Sequence, residues 1–266
     1  MKVREISKQE LHVLNDDGSI VAGVNIGYYR PWIYPLCTPS GINVLREFPP
    51  DHGFHNGAFF GHYPVLYKEV GNNFWAAPPY RGPTDELSIS VGRVSVRETV
   101  WESNVRSAIV SLVCFWIDHQ ESVLLLEKRN YNFELGNASL TATITSNLKN
   151  ISTKPIKLLH SKCSGHAFRL ASMFTEKNGA QIYMNNQISS ASMAHGVSTR
   201  QNVLSVRVAN EDISFEGTGD SYFFARNYGL ISINPFLKTD KILDLNQFFT
   251  FSSVLKILTL KSRLSL

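Results

Sequence analysis

The chain is poor in the features that define several large protein classes. It has only three cysteines among 266 residues, and the odd number and wide spacing of Cys37, Cys114 and Cys163 predict reduced thiols, not a disulfide framework or a zinc ribbon. The longest uncharged apolar stretch, SAIVSLVCFWI, is much shorter than the roughly 18 to 20 residues that span a bilayer. We therefore expect a soluble protein without a membrane partner.

Charge of one sign is also scarce. The 26 basic residues exceed the 22 acidic residues by only four, and they are spread along the chain. Binding to nucleic acid requires a clustered basic face, so we predict no nucleic-acid partner. The opening residues, MKVREISKQELHVLNDDG, contain neither the apolar core nor the cleavage site of a secretion signal. Together with the reduced thiols, this predicts a cytoplasmic protein.

Long amphipathic helices are absent from the pattern, and TDKILDLNQFF is the best candidate for a short one. Alternation with period two is frequent instead, as in SLTATITSNL and VLSVRVA, and it is typical of strands with one buried face. SAIVSLVCFWI is apolar on both faces, which favours a central strand between two packed layers.

Many short strands separated by Gly, Asn, Asp and Pro predict an all-β fold, a two-layer antiparallel β-sandwich. No repeat and no Ser- or Gly-rich linker divides the chain. We therefore predict a single domain over residues 1–266, with site-bearing loops at residues 27–86.

The segment PPDHGFHNGAFFGH, residues 49–62, contains more histidine than a turn requires. Gly, Pro and Asp serve the backbone of a turn, whereas His52, His55 and His62 have no such use. The glycine-rich sequence predicts a curved loop on which the imidazoles converge. They could form a metal site together with Asp51, or a metal-free acid/base set. The plainer alternative is that the rings only hydrogen-bond the loop backbone.

Aromatic, amide and basic side chains in three further segments could bind a sugar. GYYRPWIYP, NNFWAAPPYRGP and ARNYGLISINPF combine rings that stack on the apolar face of a pyranose with groups that hydrogen-bond its hydroxyls. Burial of the same rings in a core is the alternative. The predicted substrate-binding residues are Arg30, Trp32, Asn73, Trp75 and Tyr228, and the second segment also contains Tyr80 and Arg81.

The strand LLLEKRNYNF places Glu127, Arg129 and Tyr131 on one face, because they are two residues apart. Such a face could line a polar cleft in which the arginine binds a substrate carboxylate or hydroxyl. A cross-strand ion pair on the surface is the alternative.

Five segments carry a family resemblance. RPWIYPLCTPSG, REFPPDHGFHNG, NNFW, LLLEKRNYNF and ARNYGLISINPF resemble, in order and spacing, a family of bacterial proteins named PmoA-like methane oxygenases, and the resemblance covers roughly residues 10 to 258. Proteins of that family resemble β-sandwich proteins of the galactose-mutarotase type and tend to be encoded near sugar-oxidising dehydrogenases and sugar isomerases. The resemblance thus implies a galactose-mutarotase-like supersandwich and a role in carbohydrate metabolism.

The loop of that family has the approximate pattern Asp-His-Pro-His-His-Arg-Gly. Asp51, His52 and His55 match it, whereas Phe54 and Asn56 stand where the family has a histidine and an arginine. In ARNYGLISINPF, the arginine Arg226 matches the family's Arg-x-Tyr-Gly motif.

These observations predict a carbohydrate-active enzyme that acts on a sugar, keto-sugar or glycoside derivative by lyase, epimerase or hydrolase chemistry. The general base would be His55, with His52 as its partner, and Arg129 or Arg226 would stabilise developing negative charge. One alternative is a non-catalytic carbohydrate-binding protein, which the two departures in the loop favour. Another is a metal-dependent oxygenase with a divalent metal cofactor. The expected partner is a small-molecule carbohydrate.

Overall fold

The computed structural model describes residues 1–77 and 91–260. Tyr80, Arg81 and the end of the predicted loop region 27–86 lie outside the described residues. The strands, numbered in chain order, pair antiparallel and form three sheets. Two large sheets pack face to face, and a small sheet lies beside them.

The front sheet has eight strands and carries the histidine segment at its centre. In spatial order its strands are β1 (Lys2–Ser7), β2 (Glu10–Leu14), β3 (Ile20–Ile26), β4 (Pro31–Leu36), β5 (Ala58–His62), β13 (Ser164–Arg169), β19 (Leu230–Asn234) and β18 (Tyr222–Arg226).

The back sheet has nine strands. In spatial order they are β15 (Gln187–Ser189), β14 (Gln181–Met184), β16 (Leu204–Val208), β17 (Glu211–Gly217), β21 (Phe248–Thr259), β11 (Ser139–Asn150), β10 (Val123–Leu135), β9 (Ser107–Ile117) and β8 (Arg93–Ser103).

The small sheet has four strands, and the helical elements that the structure describes are only three or four residues long. Its strands are β20 (Lys241–Leu243), β12 (Ile156–Leu158), β6 (Val65–Tyr67) and β7 (Val70–Asn72). In residues 1–77 and 91–260 the helical elements are α1 (Ala191–Ala194) and two 3-10 turns, Ser172–Phe174 and Glu176–Asn178. Within the described ranges, no helix has the length and apolar character needed to cross a membrane.

The sheets confirm the predicted all-β, two-layer antiparallel sandwich. SLTATITSNL lies in β11, where every second residue is buried, as its alternation predicts. SAIVSLVCFWI forms β9, which is buried on only one face for most of its length, so the expectation of a strand covered on both sides is wrong. TDKILDLNQFF contains β20 and the start of β21, not a helix.

The strands that are buried on both faces are in the centre of the front sheet. All residues of β5, β13 and β19 are buried. Their inward side chains, such as Phe60 and Phe168, pack in the core between the large sheets. Their outward side chains belong to a second, smaller apolar cluster, which consists of Phe54, Phe59, Trp75, Ala167, Phe224 and Leu230. The histidine segment therefore covers the outer face of the front sheet.

Candidate functional site

The segment before β5 folds into tight turns that place two histidines side by side. The His52 amide donates to the Pro49 carbonyl at 3.1 Å, and the His55 amide donates to the His52 carbonyl at 2.8 Å. The turn ends at Gly57, whose φ of +55° favours glycine. A β-carbon at this glycine would collide with the Ile33 carbonyl oxygen of β4. The backbone thus fixes where the loop joins the sheet.

Four aromatic rings form a continuous column, the ring stack, of Tyr228, His52, His55 and Phe59. The two imidazoles are nearly parallel, with centroids 4.7 Å apart and an interplanar angle of 8°. Tyr228 stacks on His52 at 5.4 Å, and Phe59 stacks on His55 at 5.9 Å. The predicted convergence of the two imidazoles is therefore observed.

An arginine closes each end of the ring stack. The Arg169 guanidinium lies 4.6 Å from the ring centroid of Tyr228, and that of Arg30 lies 4.0 Å from the ring centroid of Phe59. Arg30 is buried and donates to the backbone carbonyls of Phe54 and Trp75. Burial, with a smaller contribution from the charge on Arg129, lowers the pKa of Arg30 to about 9, which leaves it protonated at neutral pH.

Asp51 connects the first histidine to one of these arginines. Arg169 Nη2 donates to both carboxylate oxygens of Asp51 at 2.7 Å, and Asp51 Oδ2 lies 3.2 Å from His52 Nδ1. Partial burial raises the pKa of Asp51, but the hydrogen bonds from Arg169 and His52 outweigh burial and lower this pKa to about 2. The ionised carboxylate accepts the Nδ1 proton of His52, which leaves Nε2 of that ring for a ligand.

His55 is the most unusual polar group of the site. Its side chain is buried, with the residue only 2% exposed, yet neither ring nitrogen has a hydrogen-bond partner among the described residues. Burial, followed by the charges of His52, Arg30 and Arg169, holds the pKa of His55 well below its ordinary value. The ring is therefore a neutral imidazole with two buried nitrogens that no described residue hydrogen-bonds.

The two histidines line a cavity of about 180 Å³, the site cavity. Its other lining residues are mostly apolar or aromatic and include two basic groups. The lining residues besides His52 and His55 are Phe54, Trp75, Ala76, Lys162, Cys163, Phe224, Arg226, Tyr228 and Leu230. The structure thus brings together five of the predicted site residues, namely His52, His55, Trp75, Arg226 and Tyr228.

Phe54 forms a wall between the site cavity and a second cavity of about 330 Å³. Arg30 and Trp32, two of the predicted substrate-binding residues, line this second cavity. The indole nitrogen of Trp32 donates to Glu47, and Asn56 accepts a hydrogen bond from the Phe48 amide at 2.9 Å. The two departures from the family pattern thus have structural roles, since Phe54 separates the cavities and Asn56 holds the loop.

Asn73 lines neither of these two cavities. Its side-chain oxygen accepts hydrogen bonds from the amides of Trp75 and Ala76, both at 2.9 Å. The prediction that Asn73 contacts substrate is therefore replaced by an indirect role, in which it shapes the turn that places Trp75 in the site cavity.

Arg129 is not part of the site. It lies in the core between the large sheets, fully buried, and its Nε and Nη2 donate to Glu127 at 2.6 and 2.7 Å. Glu127 also accepts from Trp116 Nε1 at 2.8 Å and from the Ser146 hydroxyl at 2.6 Å. The strand does place Glu127, Arg129 and Tyr131 on one face, but that face is the core, so the surface alternative is wrong and the predicted catalytic residue Arg129 lies away from the two histidines.

His62 also lies apart from the other histidines. It is the last residue of β5 and points inward, whereas Phe59 of the same strand points outward to the ring stack. His62 Nδ1 hydrogen-bonds the Ser164 hydroxyl, its ring contacts Phe236 at 4.6 Å, and burial lowers its pKa to about 3.

The proposed metal set of Asp51, His52, His55 and His62 is therefore not assembled. No group of three or more His, Cys, Asp or Glu side chains that could hold a metal ion occurs in residues 1–77 and 91–260. Both oxygens of Asp51 are already engaged by Arg169. The donor set present does not fit a metal centre.

Sequence reasoning missed Arg169, Lys162 and Phe224 as members of the site. Arg169 and Ala167 alternate with His166 and Phe168 along β13, so SGHAFR contains the signal that Arg169 and His166 face opposite sides of the sheet. Lys162 precedes that strand, and the sequence gives no sign that it lies beside the histidine loop.

Solved structures with a similar fold have little sequence identity to this chain. The GH36 alpha-galactosidase AgaB from Geobacillus stearothermophilus is 10% identical, with 96% of this chain and 40% of that chain covered and a TM-score of 0.50. A putative aldose 1-epimerase from Escherichia coli K12 is 11% identical, with 90% and 97% covered and a TM-score of 0.44. A galactose mutarotase related enzyme from Lactobacillus acidophilus is 12% identical, with 100% and 99% covered and a TM-score of 0.44. At these identities the likeness concerns the fold alone.

Sequence comparison places the chain in a family without assigning an activity. No curated protein matches the sequence. A family model described as a family of unknown function, DUF6807, matches residues 21–265, which include the whole histidine segment and every residue of the site cavity. The chain belongs to the DUF6807 family.

Proposed function

We propose that this protein is a carbohydrate-active enzyme that uses His55 and His52 for acid/base chemistry on a keto-sugar or a related glycoside. The observation that carries the proposal is the state of His55: a buried, neutral imidazole without a hydrogen-bond partner among the described residues, which lines a cavity. Leaving a buried polar group unsatisfied costs about 1 to 3 kcal/mol, and His55 leaves both of its ring nitrogens in this state. A bound substrate would supply the missing partner.

The hydrogen on the carbon beside a sugar ketone is acidic enough for a neutral imidazole to remove. In the proposed reaction His55 takes that proton, and the electron pair of the C–H bond becomes the enolate. The enolate then forms a C=C bond as the C–O bond to the β substituent breaks. The departing oxygen takes the Nε2 proton of a doubly protonated His52, which keeps its Nδ1 proton on Asp51 and becomes neutral. The reaction is a redox-neutral elimination.

The geometry of the two imidazoles favours elimination over epimerisation. The rings are parallel, 4.7 Å apart, and both line the same cavity. Two groups that lie side by side act on the same face of a sugar, as a syn elimination requires, whereas inversion at one carbon requires groups on opposite faces. Arg226, at the wall of the site cavity, contributes positive charge that favours the anionic enolate over the neutral ketone without a direct contact to the enolate oxygen.

The aromatic wall and the fold support a sugar as the substrate. Trp75, Phe54 and Phe224 offer apolar faces within the site cavity. The alpha-galactosidase with a similar fold is a carbohydrate enzyme by its name, and the resemblance to the PmoA-like family remains a prediction that points to sugar metabolism.

Non-catalytic carbohydrate binding is the second candidate. The observation in its favour is Phe54, which stands where the resembling family has a histidine and forms an apolar wall of both cavities. A metal-dependent oxygenase would need a donor set that the described residues do not bring together.

Turnover of keto-glycosides separates the two candidates. Purified protein is incubated with glycosides oxidised to ketones at each ring position, and the unsaturated product is followed by chromatography and mass spectrometry. We expect release of the aglycone by wild-type protein and a loss of at least about 100-fold in His55→Phe. Binding of these compounds without turnover would support the carbohydrate-binding alternative and refute the enzyme.

A further inference from the structure

The site cavity is surrounded by more cationic than anionic side chains. Lys162 and Arg226 line it, and Arg30 and Arg169 close the ring stack behind it. Asp51 hydrogen-bonds one of these four cations, and both of its carboxylate oxygens are engaged by Arg169.

Arg226 has hydrogen-bonding capacity that the protein does not use. Its guanidinium lies 4.3 Å from the ring centroid of Phe224, and its Nη1 donates to the Ala225 carbonyl at 3.1 Å. Glu176 borders the depression on the other side of Arg226, but its carboxylate accepts from the Ala191 amide at 3.2 Å and makes no ion pair with Arg226. In the described ranges Arg226 is thus held over an aromatic ring without a carboxylate partner.

We propose that the site cavity binds a monosaccharide that carries a carboxylate, and that Arg226 and Lys162 recognise this carboxylate. The inference rests on the proposed function and names its substrate class. A guanidinium binds a carboxylate through two parallel charge-assisted hydrogen bonds, whereas a neutral hydroxyl gains little from a cation. The cavity of about 180 Å³ is smaller than the roughly 300 to 1,000 Å³ of pockets for drug-sized ligands, which favours one sugar ring.

The carboxylate also fits the proposed chemistry. An anion between Arg226 and Lys162 brings the charge around the cavity nearer to neutrality. It fixes the ring at one edge, so the carbon beside the ketone can be presented to His55 in one orientation.

The test is equilibrium binding by isothermal titration calorimetry with D-glucuronate and D-galacturonate against D-glucose and D-galactose. We expect each uronate to bind at least about tenfold more tightly than its neutral sugar, the gain of a charge-assisted hydrogen bond. The preference should be lost in Arg226→Gln, fall in Lys162→Gln and persist in part in Arg226→Lys, which keeps the charge but not the two parallel hydrogen bonds. Arg97→Gln is the matched control, because Arg97 is exposed on β8 of the back sheet, and we expect it to keep the full preference.

Three results would overturn the proposal: no uronate binding, equal binding of uronates and neutral sugars, or a preference that survives in Arg226→Gln. Tighter binding of D-glucose 6-phosphate than of D-glucuronate would replace the carboxylate by a phosphate and overturn it as well. These outcomes are independent of turnover. Charge-dependent uronate binding without proton abstraction would refute the proposed enzyme and leave the ligand class standing.

Discussion

Two buried histidines, His166 in β13 and His55 in the loop before β5, differ in the hydrogen bonds that their ring nitrogens make. In the core, His166 Nε2 lies 3.0 Å from the Ser146 hydroxyl and its Nδ1 lies 2.8 Å from the Ser253 hydroxyl. In the site, both nitrogens of His55 lack a partner among the described residues. The same residue type at similar burial is therefore hydrogen-bonded by the core in one place and left without a protein partner among the described residues in the other.

This contrast predicts opposite effects of the same substitution. His55→Phe keeps a planar ring in the ring stack and removes an unsatisfied polar group, so the free energy of unfolding should be unchanged or higher by up to about 1 to 3 kcal/mol. His166→Phe removes both hydrogen bonds of the ring and leaves the buried Ser253 hydroxyl without its partner, whereas the Ser146 hydroxyl keeps Glu127, so it should lower the free energy of unfolding by about 1 to 3 kcal/mol. Urea denaturation followed by circular dichroism measures both. Strong destabilisation by His55→Phe would show that this ring is structural.

The Glu127–Arg129 pair is the second residue-scale case. Because both side chains are fully buried, removal of one partner leaves an uncompensated charge in the core. We expect Arg129→Met to lower the free energy of unfolding by about 3 to 5 kcal/mol, and the double variant Glu127→Gln/Arg129→Met to cost less than the sum of the single variants. The folded fraction of Arg129→Met should keep its activity per molecule. If Arg129→Met had the stability of the wild-type protein but no activity, Arg129 would have a catalytic role and this account of it would be wrong.

At the scale of elements, the sequence predicted those strands whose two faces differ. Buried and less buried residues alternate along β11, and the period is legible in SLTATITSNL. The strands β5 and β13 are buried on both faces, so their sequences do not alternate between apolar and polar residues. The sequence therefore does not show which face packs in the core and which face lies under the site. TDKILDLNQFF has a helical spacing of apolar residues, but pairing of β20 with β12, far away in sequence, overrides it.

The site was predictable to the extent that it is local in sequence. His52 and His55 converge because the turn between them is tight, which the glycines indicate. Arg169, Arg226 and Lys162 lie near the histidines because β13 and β18 are in the same sheet as β5. Arg129 and His62 were predicted to lie in the site, and their true positions are also set by strand pairing. Long-range pairing decides which layer of the sandwich a side chain enters.

The loop also supplies an element-scale prediction at Gly57. An alanine there would take the left-handed backbone at a cost of about 1 to 3 kcal/mol and would meet the Ile33 carbonyl oxygen. We expect Gly57→Ala to lower the melting temperature and to weaken sugar binding. His55 and Phe59 lie two residues before and two residues after Gly57, so a shift of the backbone at this turn displaces both rings. Gly53→Ala is the matched control, since a β-carbon there meets nothing within 4 Å, and it should keep the melting temperature. Equal melting temperatures for the two variants would contradict this account of the loop.

At the scale of the whole molecule, buried neutral histidines make stability depend on pH. Burial lowers the pKa of His55, His62 and His166, to about 3 for His62. As the pH falls below the ordinary histidine value of about 6.5, the unfolded chain takes up three protons that the native protein does not. The free energy of unfolding should therefore fall by about 4 kcal/mol per pH unit between pH 5.5 and 4.5.

Urea denaturation at a series of pH values measures this slope. In His55→Phe the slope should be smaller by about one third, because one of the three groups is gone. The same stability at pH 6.5 and pH 4.5 would show that these histidines are protonated in the native state, and it would remove the basis for a neutral His55.

The most direct test of the central claim, that His55 abstracts a proton from a bound keto-sugar, is hydrogen exchange into the substrate. Wild-type protein, His55→Phe and the control Arg97→Gln are incubated in deuterium oxide with a 3-keto-glucoside and the matching 3-keto-glucuronide. Deuterium at the carbons beside the ketone is then quantified by NMR. We predict exchange catalysed by wild-type protein and by Arg97→Gln, and exchange slower by at least about 100-fold in folded His55→Phe. Wild-type rates in His55→Phe, or neither exchange nor elimination of a keto-sugar that binds, would contradict the assignment of His55 as the base.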